Sequence, residues 1–390
     1  MFRFGTAGES HGRCLTGILE GLPAGIAVDP EIINQELHRR QLGYGRGGRM
    51  QIEKDKIEFT AGVRHGKTLG SPICFTIQNR DWSHWQVPMS YEPAPPGSNL
   101  RPLTRPRPGH ADLPGALKYQ THDARDILER ASARETAARV AVGSLCKIFI
   151  RHFDIETGSH VIAIGSERVS PMHEKLDAGD VFLLKADSSL RCADPDAEKR
   201  MMALIDQAKD AGDTLGGVFE VIASPVPPGL GSHTQWDRKI DGQLAQALMS
   251  IPAAKAVEIG SGIHSASICG SDVQDEIYYN AAERSFFRKT NRAGGVEGGI
   301  TNGSEIRARV FMKPIPTLRK PLMSADLISK EPSEAAFERS DTCVVPAAAV
   351  IAESMIAIVL ARNLLEKFGG DSIEETRANF LNYRKMVAEY

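Results

Sequence analysis

Two histidines are the first candidates for chemistry, because each sits beside glycine, where the backbone can turn tightly and a ligand can come close. One lies in Gly8-Glu9-Ser10-His11-Gly12, the other in Arg107-Pro108-Gly109-His110-Ala111-Asp112. Imidazole is the side chain best suited to giving or taking a proton near neutral pH. A lone histidine of this kind is more often a turn residue. A second Gly-His pair, with Arg105 and Arg107 just ahead of it, makes a proton-transfer role the stronger reading. Asp112 either orients the His110 ring or caps the turn that follows.

Between the histidines, Arg39-Arg40-Gln41-Leu42-Gly43-Tyr44-Gly45-Arg46-Gly47-Gly48-Arg49 carries four arginines and four glycines in eleven residues. Backbone N–H groups and guanidinium forks in such a loop can converge on a polyanion. RNA-binding Arg-Gly tails repeat the pattern and interleave aromatics. One compact loop fits a small anionic molecule better than nucleic acid. Further on, Glu129-Arg130-Ala131-Ser132-Ala133-Arg134-Glu135 contains a Ser132/Glu135 capping-box pattern, so a helix start beside Arg130 and Arg134 could stabilise a phosphate. An ordinary capped helix with surface arginines accounts for the same residues. Last come the paired glycines of Gly294 to Gly303, which clear space at the backbone, and Lys313-Pro314-Ile315-Pro316-Thr317. There prolines hold a loop extended and leave Lys313 and Thr317 as polar handles. Neither a dinucleotide-binding glycine fingerprint nor a Walker lysine motif is present.

These residues need a scaffold. The 390 residues are 42% apolar, 25% charged and 6% aromatic, which excludes a disordered chain or a fibre. A net charge of −2 excludes a polycation that holds nucleic acid through its overall field, so anions must be met locally. Residues 1–140 hold 15 Arg and 4 Lys against 15 acidic residues, which concentrates positive charge where the motifs are. Six scattered cysteines without a Cys-x-x-Cys pair argue against a structural metal site and for a reducing compartment. Met1-Phe2-Arg3-Phe4-Gly5 lacks the apolar core of a signal peptide. Glu353 interrupts the longest apolar stretch, Cys343 to Ala361, which reads as a helix buried in the core or in a subunit interface rather than in lipid.

Periodicity predicts strands at Ile52 to Thr60, Pro72 to Ile77, Val161 to Ile164, Gly217 to Ala223 and Glu305 to Phe311. It predicts helices at Pro30 to Arg40, Ala133 to Ile150, Ala197 to Lys209, Asp237 to Ser250, Pro346 to Lys367 and Ser372 to Val387. The class is therefore mixed α/β (α+β). Two strand–turn–helix stretches, Gly17 to Asp29 and Phe219 to Asp237, share a faint likeness that either a duplication or chance explains. Trp82 to Arg107 is Pro-rich and aperiodic and carries Trp82 and Trp85, so it reads as an excursion or lid.

Taken in order, the motifs resemble those of the chorismate synthase family, and they span nearly the whole chain. They include Gly8 to Gly12, Arg40 with Gly43 to Gly47, Arg107 to Asp112, Arg130 to Thr136, Val257-Glu258-Ile259-Gly260, Gly294 to Gly303, Lys313 to Thr317 and Arg339 to Asp341. The resemblance implies a single catalytic domain over residues 1–390, a β-α-β sandwich with a large buried helical layer, and a cytoplasmic homotetramer with no nucleic-acid or membrane partner. It implies a lyase of the shikimate pathway of aromatic amino acid biosynthesis. That enzyme converts 5-enolpyruvylshikimate 3-phosphate to chorismate and phosphate by anti-1,4-elimination. It needs reduced FMN (FMNH2), and NADPH is the reductant in members that reduce their own flavin.

By position, His110 resembles the histidine that assists phosphate departure, His11 the one that protonates reduced flavin, and Asp341 the aspartate working with flavin N5. The FMN-binding positions correspond to Arg130, Ala131, Ser132, Pro252, Ala253, Gly298, Lys313, Pro314, Ile315, Pro316, Thr317 and Arg339. Arg40, Arg46, Arg49, Arg107 and Arg134 match the substrate-facing arginines, the first two also being tied to NADP. No metal is implied. Ser340, Thr342 and Ala347 stand where one branch of the family has His, Pro and Arg, and Trp82 to Arg107 is longer than in compact members. Both features resemble the longer branch.

Overall fold

The computed structural model describes residues 1–47, 54–184, 188–338 and 340–390. Alternation of buried apolar residues in its two central strands anchors the first sheet. Its strands β1 (Arg3–Ala7), β2 (Cys14–Glu20), β3 (Ile57–Ala61) and β4 (Ile73–Gln78) run in the order β1-β2-β4-β3, every pair antiparallel. Leu15 and Leu19 of β2 and Ile73, Phe75 and Ile77 of β4 point inward and are buried, while Ile18 on the opposite face is half exposed. The second sheet comprises β5 (Glu156–Ile164), β6 (Glu167–Arg168), β7 (Gly217–Ser224), β8 (Ala254–Ile259) and β9 (Ile306–Met312), in the order β8-β9-β7-β5-β6 and again antiparallel.

The helices are α1 (Pro30–Gln41), α2 (Asp112–Tyr119), α3 (Arg125–Ala131), α4 (Thr136–Ile150), α5 (Pro195–Asp210), α6 (Ile240–Met249), α7 (Val345–Phe368) and α8 (Ile373–Glu389). Three of them fill the space between the sheets. α4 lies on β1 and β2, α7 lies on β5 and β7, and α1 packs against both helices. A β-α-β sandwich with a buried helical layer results, and one contiguous apolar core runs through it from Leu15 to Val310. The predicted strands and helices all occur, with ends shifted by a few residues. Ile52, at the start of one expected strand, lies outside the described residues. The sequence reading omitted β6, β8 and β1, the last of which pairs with β2 at the two ends of the His11 loop.

α7 is apolar on all sides because it is surrounded by protein. By length and composition it could cross a membrane, yet 94% of its most apolar window is buried inside the chain. Its buried carboxylate, Glu353, accepts hydrogen bonds from both Arg39 nitrogens at 2.9 Å, Lys147 Nζ at 2.7 Å, Ser159 Oγ at 2.6 Å and Arg191 Nη2 at 3.1 Å. Glu36 adds a second carboxylate, 2.6 Å from Lys147 Nζ. This corrects the reading of Arg39 as part of an anion-binding loop. Successive helix residues point about 100° apart, so at the end of α1 Arg39 turns into the interlayer cluster and Arg40 turns toward the cavity described below.

A second correction concerns Ser132. Its hydroxyl accepts from Arg134 N–H at 3.3 Å and caps a single 3₁₀ turn, after which α4 starts at Thr136. Glu135 does not reach back to complete a capping box; it pairs with Arg139 one turn on.

Candidate active site

A cavity of about 1390 Å³ opens where the C-terminal end of α1, the start of α4, the end of α6 and the start of α7 come together. Its wall brings together His11, His110, Asp341, Arg40, Arg46, Arg107 and Arg134 from five separate stretches of chain. Ala131, Ser132, Pro252, Ala253, Lys313, Ile315, Pro316 and Thr317 line the same space. Arg130, Pro314 and Gly298 do not. Arg130 donates to the carbonyls of Gly8 at 3.1 Å and Thr6 at 2.9 Å, so it ties down the N-terminal loop instead of facing a ligand. Gly298 caps a two-residue hairpin turn whose neighbour, Gly299, accepts from Ile240 N–H at the start of α6. Pro252 follows the other end of α6, and a ten-residue helix is ~15 Å long. Arg49 and Arg339 lie outside the described residues.

The His11 loop joins β1 to β2 and needs Gly8. There φ is +106°, and a Cβ would stand 2.4 Å from the Cys14 carbonyl oxygen. Glu129 of α3 grips the loop in three places. Its carbonyl accepts from Ser10 N–H at 2.9 Å, and its carboxylate accepts from His11 N–H at 2.9 Å and meets His11 Nδ1 at 2.9 and 3.0 Å. Asn79, just after β4, donates to the carbonyls of Glu9 and Gly12 and so closes the loop from the other side. Trp85 stacks on His11 with ring centroids 4.1 Å apart. The Arg125 guanidinium stands 5.0 Å from the Trp85 ring and donates to Glu129 at 2.9 Å. The Pro-rich excursion therefore supplies one wall of the cavity, through Trp85. Its later part, Leu103 to Arg107, is bonded to the chain near Asp326 and Ala336.

His110 sits just before α2, and its Nδ1 is hydrogen-bonded to Asp112, which also accepts from Arg107 Nε at 2.8 Å and from Arg107 N–H at 3.0 Å. Of the two roles open to Asp112, orienting the imidazole is the one the geometry displays. Burial alone would raise the Asp112 pKa, but hydrogen bonds from His110 and Arg107 and their charges hold it well below the usual carboxylate range. An ionised carboxylate only accepts, so Asp112 takes the Nδ1 proton, while Arg107 Nη2 lies 3.0 Å from Nδ1 and 3.5 Å from Nε2 on the same ring. Arg107 continues to Thr317 Oγ1 at 2.9 Å, and Lys313 Nζ donates to the Gly109 carbonyl, which locks the two loops together.

The arginines come with counter-charges that sequence reasoning missed. Arg134 Nη1 holds Asp55 at 2.6 and 2.7 Å, Arg46 Nη1 is 2.8 Å from Asp341, and Gly47 N–H donates to the same aspartate. Gly45 makes this possible: its carbonyl accepts from Thr342 N–H at 2.8 Å and draws the Arg-Gly loop onto the Asp341 segment. Arg40 donates through Nε to Thr136 Oγ1 and through Nη2 to the Ala133 carbonyl. Its Nη1 is buried without a hydrogen-bond partner among the described residues and stands 3.7 Å from Asp55. Burial pushes the Arg40 pKa down to about 10, Asp55 opposing that shift and the cations Arg134 and Arg46 adding to it. A buried, unpaired N–H in a cavity wall is costly unless a ligand oxygen satisfies it.

Comparison with known proteins follows the same line. The sequence profile of the family described as "Chorismate synthase" matches residues 2–365. The chain is 55% identical over 393 residues to the chorismate synthase of Solibacter usitatus (strain Ellin6076), covering all of both proteins. To that of Aquifex aeolicus (strain VF5) it is 54% identical over 394 residues, covering all of this chain and 98% of the relative. A solved structure described as "Crystal Structure of Chorismate Synthase" superposes with a TM-score of 0.81 at 45% identity, over 100% of this chain and 99% of that one.

Proposed function

This chain belongs to the chorismate synthase family, and we propose that the cavity between α1, α4, α6 and α7 is where it carries out the family's reaction. It is a lyase: it eliminates phosphate from 5-enolpyruvylshikimate 3-phosphate to give chorismate, a step of aromatic amino acid biosynthesis. The observation that carries the assignment of the site is the convergence of His11 and His110, from loops far apart in sequence, on one cavity with Arg40, Arg46, Arg107 and Arg134.

In this reading the whole chain is one catalytic domain. The substrate's phosphate and carboxylates lie against Arg40, Arg46, Arg107 and Arg134, whose forks are already aimed by Asp55, Asp112 and Asp341. The unpaired Nη1 of Arg40 takes a substrate oxygen. His110 hands a proton to the phosphate oxygen as its bond to the ring carbon breaks, because departure is faster when the developing charge is met by an acid.

The cavity also exceeds the ~300–1,000 Å³ that one drug-sized ligand occupies, so it has room for a second molecule. Its apolar and backbone-rich side at Ala131-Ser132, Pro252-Ala253 and Lys313 to Thr317 suits a flat ring system with a phosphate tail. Reduced FMN bound there would supply the electron-rich ring system that removal of the ring hydrogen requires, with no net redox change. His11 then holds a proton at Nε2, and Asp341, tethered by Arg46 and Gly47, presents a carboxylate to the same space. We further propose a cytoplasmic homotetramer. Support for self-association comes from the exposed Ile277, Tyr279, Phe286 and Phe287 on the hairpin of residues 277–288.

Anaerobic incubation with reduced FMN and the phosphate substrate tests the reading, with chorismate followed by absorbance. Neither chorismate nor phosphate from folded protein would overturn it, whereas an FMN carrier or flavin reductase would bind flavin and stop there. Bleaching of oxidised FMN by NADPH under argon would establish a reductase activity of the chain's own. Arg46→Lys keeps the charge but loses the fork that meets a carboxylate or phosphate through two parallel bonds. The substrate KM should rise about tenfold, and an unaltered KM would count against direct contact.

A further inference from the structure

Glu129 is almost fully buried and stands behind the cavity wall, not in it. We propose that Glu129 is the positioning residue of His11: it fixes the proton on Nδ1 and so makes Nε2 the nitrogen that exchanges protons with bound ligand. The inference rests on the proton-transfer reading of His11 given above and goes beyond it, because it assigns the nitrogen and the group that selects it.

Both carboxylate oxygens of Glu129 lie within hydrogen-bond distance of His11 Nδ1, at 3.0 and 2.9 Å, and the His11 backbone N–H donates to one of them. A carboxylate only accepts, so Nδ1 must donate whether the ring is neutral or charged. Burial alone would push Glu129 up, but the hydrogen bonds and charge of His11, with the Arg125 guanidinium, hold it below its ordinary value and therefore ionised at neutral pH. Nε2, on the opposite edge of the ring, has no partner among the described residues, and His11 lines the cavity.

Rotation of the ring is blocked as well. Trp85 covers one face at 4.1 Å, and Asp81 accepts from the Trp85 indole N–H at 3.3 Å. Arg125 closes the cluster by pairing with Glu129 while lying over Trp85, and Glu338 stands 3.4 Å from the other Arg125 nitrogen. Glu129, His11, Trp85 and Arg125 thus hold one another, and the imidazole has a single orientation in which its lone pair or second proton points into the cavity. Asp112 does the same for His110, so the two histidines are built alike from unrelated segments.

The test uses ¹⁵N-histidine NMR of the ligand-free full-length protein, together with kinetics. In the unaltered protein at a pH where His11 is neutral, Nδ1 should give a protonated-type shift and Nε2 an unprotonated-type shift; the reverse would overturn the proposal. Glu129→Gln, nearly isosteric, turns one accepting oxygen into an NH2 donor, so the group facing Nδ1 no longer has to accept. Its His11 signals should move toward a mixture of tautomers, and kcat should fall by about 10²-fold, the upper end of the usual cost of losing a partner that orients a functional histidine. In a His11→Ala background the same change should cost less than about threefold, since a positioning residue acts only through the ring it positions. Equal losses in the two backgrounds, or an unmoved tautomer signal with full turnover, would overturn it. Full turnover in His11→Ala alone would overturn the proton-transfer reading and the kinetic half of this proposal, while the NMR signature still reads the Glu129 contact independently.

Discussion

His110→Ala is expected to lower chorismate turnover by ~10²-fold or more, the usual cost of losing a positioned general acid. The loss should fall on kcat with little change in KM, because the proton is needed as the phosphate departs and not while the substrate is bound. Structure favours a clean result. Asp112, deprived of His110, keeps its two side-chain bonds from Arg107 and the Arg107 backbone N–H, so no buried carboxylate is stranded. Lys313 bonds the Gly109 carbonyl, a main-chain group that the substitution leaves in place. FMN binding should therefore persist. The measurement is the initial rate of chorismate formation with reduced FMN under argon, alongside phosphate release; unchanged turnover would remove His110 from the role of acid.

Glu353→Gln should be strongly destabilising although it is nearly isosteric. It leaves Arg39, Lys147 and Arg191 around a neutral amide in the helical layer, with Glu36 as the one remaining carboxylate partner among the described residues. Removing one partner from a buried charge cluster costs about 3–5 kcal/mol, since the surviving charges stay desolvated. Adding Lys147→Met should recover part of that loss by restoring the balance. Urea unfolding monitored by circular dichroism decides the matter, and an unshifted midpoint would refute it.

A pH dependence follows with a definite sign. Burial alone would raise the Glu353 pKa, but Arg39, Lys147 and Arg191 hold it well below its ordinary 4.5. A carboxylate depressed in the folded state contributes stability that is fully present above its unfolded value and is lost as the pH falls through the folded one. Acid should thus weaken the protein progressively below about pH 4.5, and Glu353→Gln should flatten that limb.

The same pair of arginines shows what could be read in advance and what could not. Arg39 and Arg40 are adjacent, and sequence reasoning placed both in an anion-binding loop; in the fold one neutralises Glu353 and the other faces the cavity. Arg130 was matched to a flavin-binding position by the family resemblance, and its guanidinium is bonded to the carbonyls of Thr6 and Gly8. Nothing local marks such partners. Asp55 meets Arg134 across 79 residues of sequence and Glu129 meets His11 across 118. Trp85 offered a faint signal, an aromatic in an otherwise Pro-rich excursion, and it does reach the cavity.

What the sequence determined alone was everything set by short range and by residue type. That covers the periodicity of the strands and helices, the Gly8 turn that only glycine can make, the all-round apolar α7, and the types and order of the residues that mark the family. Tertiary structure decided which charges meet. An ion pair or a histidine tautomer is selected by distances of about 3 Å, and those distances arise only when two sheets close on a helical layer and bring remote segments together.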